Sequence, residues 1–383
     1  MKGLKNVNAY VEGKGFIKTD ISFENGLIKE IKSGLDIEEI ASISSNALVL
    51  PGFIDEHIHG AKKADAMDGS TDALSDIATA IASEGTVGFL ATTMTQSPEN
   101  IENALKSVNS YIQLNSDSGA ELLGVHLEGP FISPKHVGAQ PLEYVVNPSV
   151  EVMKKYIDYS GGNIKIVSLA PEVEGAESLV KFLKEKGIVA SIAHTGAKYK
   201  DCENAVSWGM SNVTHTYNAQ TGLHHRDAGV VGSALLMDEL SCELICDLIH
   251  VSVPAIKLVI KNKPSDKVIL ITDSMRAKHM PDGESELGGQ LVIVKNGEAR
   301  LVDGTLAGSV LKMNDAVKNV HKSAGVPLET AVDFATANPA KNLGVYDKMG
   351  SIKEGKQANF AVVDKDSFEV LLTVRKGEII YKK

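Results

Sequence analysis

Cysteine is scarce in this 383-residue chain: Cys202, Cys242 and Cys246 are all it has. An odd, sparse set without C-x-x-C spacing excludes a disulfide framework and a cysteine-built metal ribbon. It suits a reduced, cytoplasmic setting in which all three are small core residues. No apolar run approaches the ~20 residues of a membrane span. The first residues, MKGLKNVNAY, lack the apolar centre of a signal peptide. Basic stripes are missing too, and a net charge of −10 argues against nucleic acid as a partner. What is present is 43% hydrophobic residues, enough for a large core in a chain long for one ordinary domain.

The two ends of the chain read alike. DISFENGLIKEI has Asn25-Gly26 at its centre, between alternating segments, which is hairpin chemistry. The last stretch repeats the pattern, with Lys376-Gly377 before EIIY. Strand-rich ends around a different middle predict one small β-sandwich domain, residues 1–52 plus 346–383, closing around an inserted domain, residues 53–345.

That middle alternates. Short apolar runs end near His57/His59, Thr93, Glu128, Ala170, His194, His215, His250 and Asp273, eight strand candidates in all. Amphipathic helices lie between them: Leu74, Ile77, Ala78 and Ile81 follow i, i+3, i+4, i+7 spacing, and Ser97-Pro98-Glu99 opens another helix with a cap and a first-turn proline. Eight strands alternating with helices predict a (β/α)8 barrel of the TIM type.

The polar residues fall at the strand ends, which in such a barrel meet at one mouth. His57 and His59, at i and i+2, point to the same face of a strand and can grip one ion. Glu128 follows VHL and precedes Gly129-Pro130, a sharp exit where an unpaired carboxylate would be costly; Asp273 follows five consecutive apolar or β-branched residues. With His194 and His215 these residues supply four imidazoles and two carboxylates, a set suited to one or two divalent metals.

PGFIDEHIHG, HLEGPFI, IAHTGA, THTYNAQTGLHHRDAG, ICDLIHV, ILITDSM and DGTLAGS together resemble the amidohydrolase superfamily. More narrowly, they resemble its N-acetylglucosamine-6-phosphate deacetylase family, over nearly the whole chain. H-x-H after PGFID marks only the superfamily; HLEGPF, THTYNA with its following Arg, and DGTLAGS are narrower. The resemblance implies a metal at Glu128, His194 and His215, and a second at His57 and His59 with Glu128 bridging. The family uses zinc or iron, and the ligand types do not choose between them. Asp273 would be a ligand and the acid/base group that moves a proton from water to the leaving amine.

The same resemblance implies phosphate contacts from Arg226, His250, Asn218 and the Ala219 amide, with Arg226 reaching across a homodimer. Leu306, Ala307 and Gly308 would form a loop over the sugar. The chain departs from the family at Gly138-Ala139-Gln140, where several members carry a His that touches the acetyl carbonyl. Gln140 can offer only a neutral hydrogen bond there. His136, out of register with that His, reads as a surface loop residue. His224 and His225 read as rim-loop residues, and His279 and His321 as residues without a catalytic role. Two rival readings use the same scaffold: a deaminase or cyclic-amidase reaction, and a non-catalytic scaffold protein. Arg226, His250 and DGTLAGS weigh against the first, and the complete ligand set weighs against the second.

Overall fold

The computed structural model describes residues 1–383. Its centre is a sheet of eight strands that pair in chain order: Phe53–Ile58, Thr86–Thr92, Glu121–Glu128, Ile164–Leu169, Val189–Ile192, Asn212–Val213, Ser241–Ile245 and Val268–Ile271. Neighbours are parallel throughout, with register pairs such as Glu128↔Ser168 and Ile192↔Val213. The ring closes at two levels. Asp273 N–H donates to His57 O at 2.8 Å near the mouth. Deeper down, Ile54 N–H and Leu270 N–H reach the carbonyls of Ala335 and Phe334, at 2.8 and 2.9 Å. The strands are buried almost throughout, as parallel strands covered on both faces must be.

The helices form where the periodicity puts them. Thr71–Ala82 buries Leu74, Ile77, Ala78 and Ile81, and the Ser70 hydroxyl caps it by accepting from Ala73 N–H at 3.1 Å. Pro98–Leu114 is capped by Ser97, carries the proline in its first turn, and stops at Asn115 in the left-handed region.

One strand end differs from its expectation. The seventh strand stops at Ile245, five residues before His250. The Asp247 carboxylate accepts from the backbone N–H of Ile249 and His250, at 2.9 and 2.8 Å, and Leu248 takes φ 69°. The aspartate turn ends the strand early.

The termini share a second sheet, in the order Glu378–Lys382, Val370–Arg375, Phe360–Asp364, Ala47–Pro51, Lys2–Val11, Gly15–Glu24, Leu27–Ile31. Both expected turns are hairpins with positive φ at both central residues: Asn25 52° and Gly26 77°, Lys376 49° and Gly377 79°. The expected sandwich is thus one hydrogen-bonded sheet folded over itself. Phe23 and Phe360 lie three strands apart, about 14 Å in a flat sheet, yet their ring centroids are 6.0 Å apart. This domain keeps its own core of 17 buried residues, separate from the 70-residue core of the barrel.

A third sheet was not expected. Gly283–Leu287, Gln290–Lys295 and Glu298–Leu301 form an antiparallel meander beside the barrel mouth. Its second turn is Asn296-Gly297, the same signal read correctly at Asn25-Gly26.

Candidate active site

Three of the expected site residues sit where the chain leaves its strand abruptly. His194, His215 and Asp273 have φ of 43°, 31° and 47°, in the left-handed region that such residues seldom occupy. The sharp turn swings each side chain from the strand line into the mouth. Gly129 makes the sharp exit after Glu128: its φ is 74°, and a Cβ there would clash with Thr95 Oγ1.

Around Glu128 the donor atoms gather in two groups. Glu128 Oε1 lies 3.2 Å from His194 Nε2 and 3.0 Å from His215 Nε2, and those two nitrogens are 3.1 Å apart. Oε2 lies 3.3 Å from His59 Nε2, while Asp273 Oδ1 lies 3.1 Å from His59 Nε2 and 3.4 Å from His57 Nε2. Ligands at ~2.0–2.2 Å from a tetrahedral ion stand about 3.3 Å from one another. The observed spacings match that, and both groups share the Glu128 carboxylate.

The outer nitrogens explain the orientation of the rings. His57 Nδ1–H donates to Glu243 Oε2 at 3.1 Å, His59 Nδ1–H to Thr92 O at 3.2 Å, and His194 Nδ1–H to His136 O at 3.0 Å. Each acceptor fixes the proton on Nδ1 and leaves the Nε2 lone pair facing the centre. His57 Nε2 is buried without a hydrogen-bond partner, an orphan that a metal would satisfy. The donor set therefore fits divalent ions.

Electrostatics agree. Burial pushes the Asp273 carboxyl up, but His57 and His59 outweigh it and bring the group down to about 2. Burial likewise opposes ionisation of Glu128, yet the surrounding histidines, His57 foremost, hold it well below the usual carboxylate range. Both carboxylates are ionised at neutral pH, as ligands and proton acceptors must be.

A third grouping, His57, His126 and Glu243, is also compact, but His126 has no nitrogen to spare. Its Nδ1–H donates to Glu56 O at 3.0 Å, and its Nε2 lies 2.7 Å from Ser168 Oγ. Burial keeps the ring neutral, lowering its pKa well below the usual value. His126 belongs to the barrel's interior hydrogen-bond network.

His59, Glu128, His194, His215 and Asp273 line a cavity of about 300 Å³, together with Ala139, Gln140, Asn218, Ala219, His250, Leu306 and Gly308. Sequence reasoning missed Met94, Leu287 and Thr305, which complete much of the wall. Three expected residues do not line it: His57 is fully buried beside the ligand cluster, and two others lie elsewhere. Ala307 is fully buried, with its N–H donating to Ala299 O at 3.0 Å, because the loop turns its side chain toward the small sheet's core. Arg226 is exposed, its guanidinium donating to His225 Nε2 at 2.9 Å, and it does not line this chain's cavity.

Gln140 also differs from its expectation. Its Oε1 accepts from Thr95 N–H at 2.6 Å, which turns Nε2 toward Glu128 Oε2 at 2.8 Å. One of its two amide hydrogens is thereby used on the shared carboxylate rather than on a ligand. His136 is more than a loop residue, since its carbonyl orients His194. His279 pairs with buried Glu84 at 2.7 Å, and His321 Nδ1–H donates to Val326 O at 2.8 Å, both in structural roles. Glu243, in SCELI, went unread; an acidic residue inside an otherwise apolar strand was the signal that could have exposed it.

A barrel with H-x-H on its first strand and further ligands on the third, fifth, sixth and eighth defines a metal-dependent hydrolase scaffold. The amidohydrolase family matches residues 48–380, and the chain belongs to that family. The particular proteins it resembles are sugar-phosphate deacetylases. It is 42% identical over 375 residues to the N-acetylglucosamine-6-phosphate deacetylase of Bacillus subtilis, covering 94% of each chain. Against the N-acetylgalactosamine-6-phosphate deacetylase of Escherichia coli O157:H7 it is 36% identical over 317 residues, covering 83% of this chain and 84% of the other. The crystal structure of the Thermotoga maritima N-acetylglucosamine-6-phosphate deacetylase matches it with a TM-score of 0.90 and 35% identity, over 100% of both chains.

Proposed function

We propose that this protein hydrolyses the acetamide of N-acetyl-D-glucosamine 6-phosphate, releasing acetate and D-glucosamine 6-phosphate, in amino-sugar catabolism and recycling. One observation carries the reading: Asp273 and Glu128 converge with four imidazoles, three on the wall of a single cavity and His57 buried against them, in a chain whose relatives are sugar-phosphate deacetylases. Glu128, His194 and His215 would hold one divalent ion, zinc or iron. His57 and His59, with Glu128 and Asp273, would hold a second. When bound, such an ion acidifies water and draws electron density from an amide carbonyl.

The chain's own groups do the rest. Asp273, ionised and facing the cavity, accepts a proton from the attacking water and returns it to the amine nitrogen as the C–N bond breaks. His250, Asn218 and the Ala219 amide receive the phosphate, and Leu306 and Gly308 cover the sugar. Gln140 steadies Glu128 through one N–H and has the other for the acetyl oxygen. Because Arg226 stands outside its own chain's cavity, the reading gives it to a homodimer partner, where its planar fork suits phosphate oxygens. Residues 1–52 and 346–383 serve as a supporting domain for the 53–345 barrel. No helix is long and apolar enough to cross a membrane, and three free, buried cysteines suit a cytoplasmic setting.

The test is acetate release from N-acetylglucosamine 6-phosphate, its 4-epimer and unphosphorylated N-acetylglucosamine, with metal content measured on the same sample. Release from phosphorylated sugars alone supports the reading, and the ratio of the two epimers assigns the natural substrate. Equal release from the unphosphorylated sugar removes the phosphate site. No release from metal-loaded protein directs the search to other amides.

A further inference from the structure

Glu243 is fully buried in the middle of the seventh barrel strand, Ser241–Ile245, whose other members are buried as well. A carboxyl group in such a place carries a large desolvation cost and calls for a compensating role. It does not line the cavity, so it touches neither substrate nor the reacting atoms. Its Oε2 instead lies 3.1 Å from His57 Nδ1 and 3.3 Å from the backbone N–H of His215. One oxygen thus joins a residue from each donor group, His57 of the first strand and His215 of the sixth.

We propose that Glu243 is a positioning residue that fixes the His57 ring and its spacing from His215, and so determines whether the His57/His59 metal position is filled. The inference rests on the metal-centre reading given above. Without an acceptor at Nδ1, the neutral His57 ring is free to carry its proton on Nε2, the atom that must offer a lone pair. No other hydrogen-bond partner reaches His57 Nδ1. In the other half of the centre the His194 ring has its own acceptor in His136 O, and Glu243 reaches His215 only at the backbone, not at the ring. Loss of Glu243 therefore weakens the His57/His59 position far more than the other.

The experiment compares wild type, Glu243→Leu and Glu243→Gln by titrating zinc into metal-free full-length protein and counting ions per chain. Leucine fills the space but removes the acceptor, whereas glutamine keeps an acceptor oxygen. Wild type is expected to take two ions. Glu243→Leu should bind the second 10–100-fold more weakly, the range seen when such outer partners are removed, and Glu243→Gln should restore most of that loss. In the zinc-loaded enzyme kcat should fall in the leucine variant while KM for the phosphorylated sugar stays nearly constant. Unchanged second-ion affinity in Glu243→Leu, or equal losses in both variants, overturns the proposal. A wild type that binds one ion overturns the two-position reading itself, and this inference with it. If the leucine variant does not fold, ring-nitrogen NMR of the zinc-loaded wild type decides: a proton on His57 Nδ1 is required, and one on Nε2 defeats the idea.

Discussion

Asp273 and His57 meet twice: the backbone N–H of Asp273 donates to His57 O at 2.8 Å, and its Oδ1 lies 3.4 Å from His57 Nε2. The first contact closes the barrel and the second builds the active centre. The joint between the first and last strands is therefore also the place where the proposed base stands beside a proposed ligand, and backbone closure sets the position of the chemistry.

Asp273→Asn should leave the fold intact, because asparagine tolerates the left-handed φ of 47° and keeps the backbone bond. Turnover should fall by roughly 10²–10⁴-fold, the usual weight of a general acid/base. Steady-state kinetics on metal-loaded protein checks this, and retention of most activity would remove the role.

For Arg226→Ala, KM for the phosphorylated sugar should rise with little change in kcat. If the arginine comes from the partner, mixing Arg226→Ala with Asp273→Asn protomers should regain activity at substrate concentrations well below the raised KM, where neither homodimer turns over appreciably. Half of a randomly exchanged population is mixed dimers, each with one intact site, so about a quarter of wild-type activity returns. No regain after verified subunit exchange would place Arg226 in its own chain's site.

Gln140→Ala removes the acceptor for the buried Thr95 N–H and the donor to Glu128. Unfolding free energy should drop by ~1–3 kcal/mol, the cost of an unsatisfied buried group, and kcat by roughly ten-fold as Glu128 loosens. Urea denaturation and kinetics on the same preparation read both effects. A change in neither would make the two hydrogen bonds incidental.

Metal-free protein should show a pH dependence of stability that the loaded protein lacks. Burial disfavours charge on His59 and His215, but Asp273 and Glu128 outweigh it, so both folded pKa values are raised, that of His59 strongly. A raised histidine contributes stability in full below its unfolded value of ~6.5 and loses it as pH rises through the folded value. The Tm of the apoprotein should therefore decline above about pH 6.5, and added zinc should rescue it most at the alkaline end. A flat apoprotein profile across that window would contradict the arrangement.

Much of this was readable in advance, for reasons that differ by residue. His57, His59, Glu128 and Asp273 stood out because charge at the end of an apolar run has few inexpensive explanations. The Asn25-Gly26 hairpin was legible from local φ preference alone. Asn296-Gly297 carries the same information, so the second turn of the small antiparallel sheet is equally legible in the sequence. Glu243 is different: its partner His57 lies 186 positions away, and no periodicity records a contact across the inside of a barrel. His250 was misplaced because Asp247 ends the strand through side-chain hydrogen bonds that mimic a turn. The inward turn of the Ala307 side chain was not legible, because a loop motif fixes neighbours in sequence but not the direction in which each side chain points.

The sheet shared by the two termini also bears on how the protein is made. Ala47–Pro51, buried at every position, pairs on one side with Lys2–Val11 and on the other with Phe360–Asp364. At roughly 5–20 residues per second, the ribosome finishes that second partner only after a delay on the order of tens of seconds. Throughout translation of the barrel the nascent chain carries an open, apolar strand edge, the kind of edge that templates misassembly. The strand that seals it, Phe360–Asp364, is made after the barrel, so a chain interrupted between residues 345 and 360 would carry a largely complete barrel and an adhesive flank.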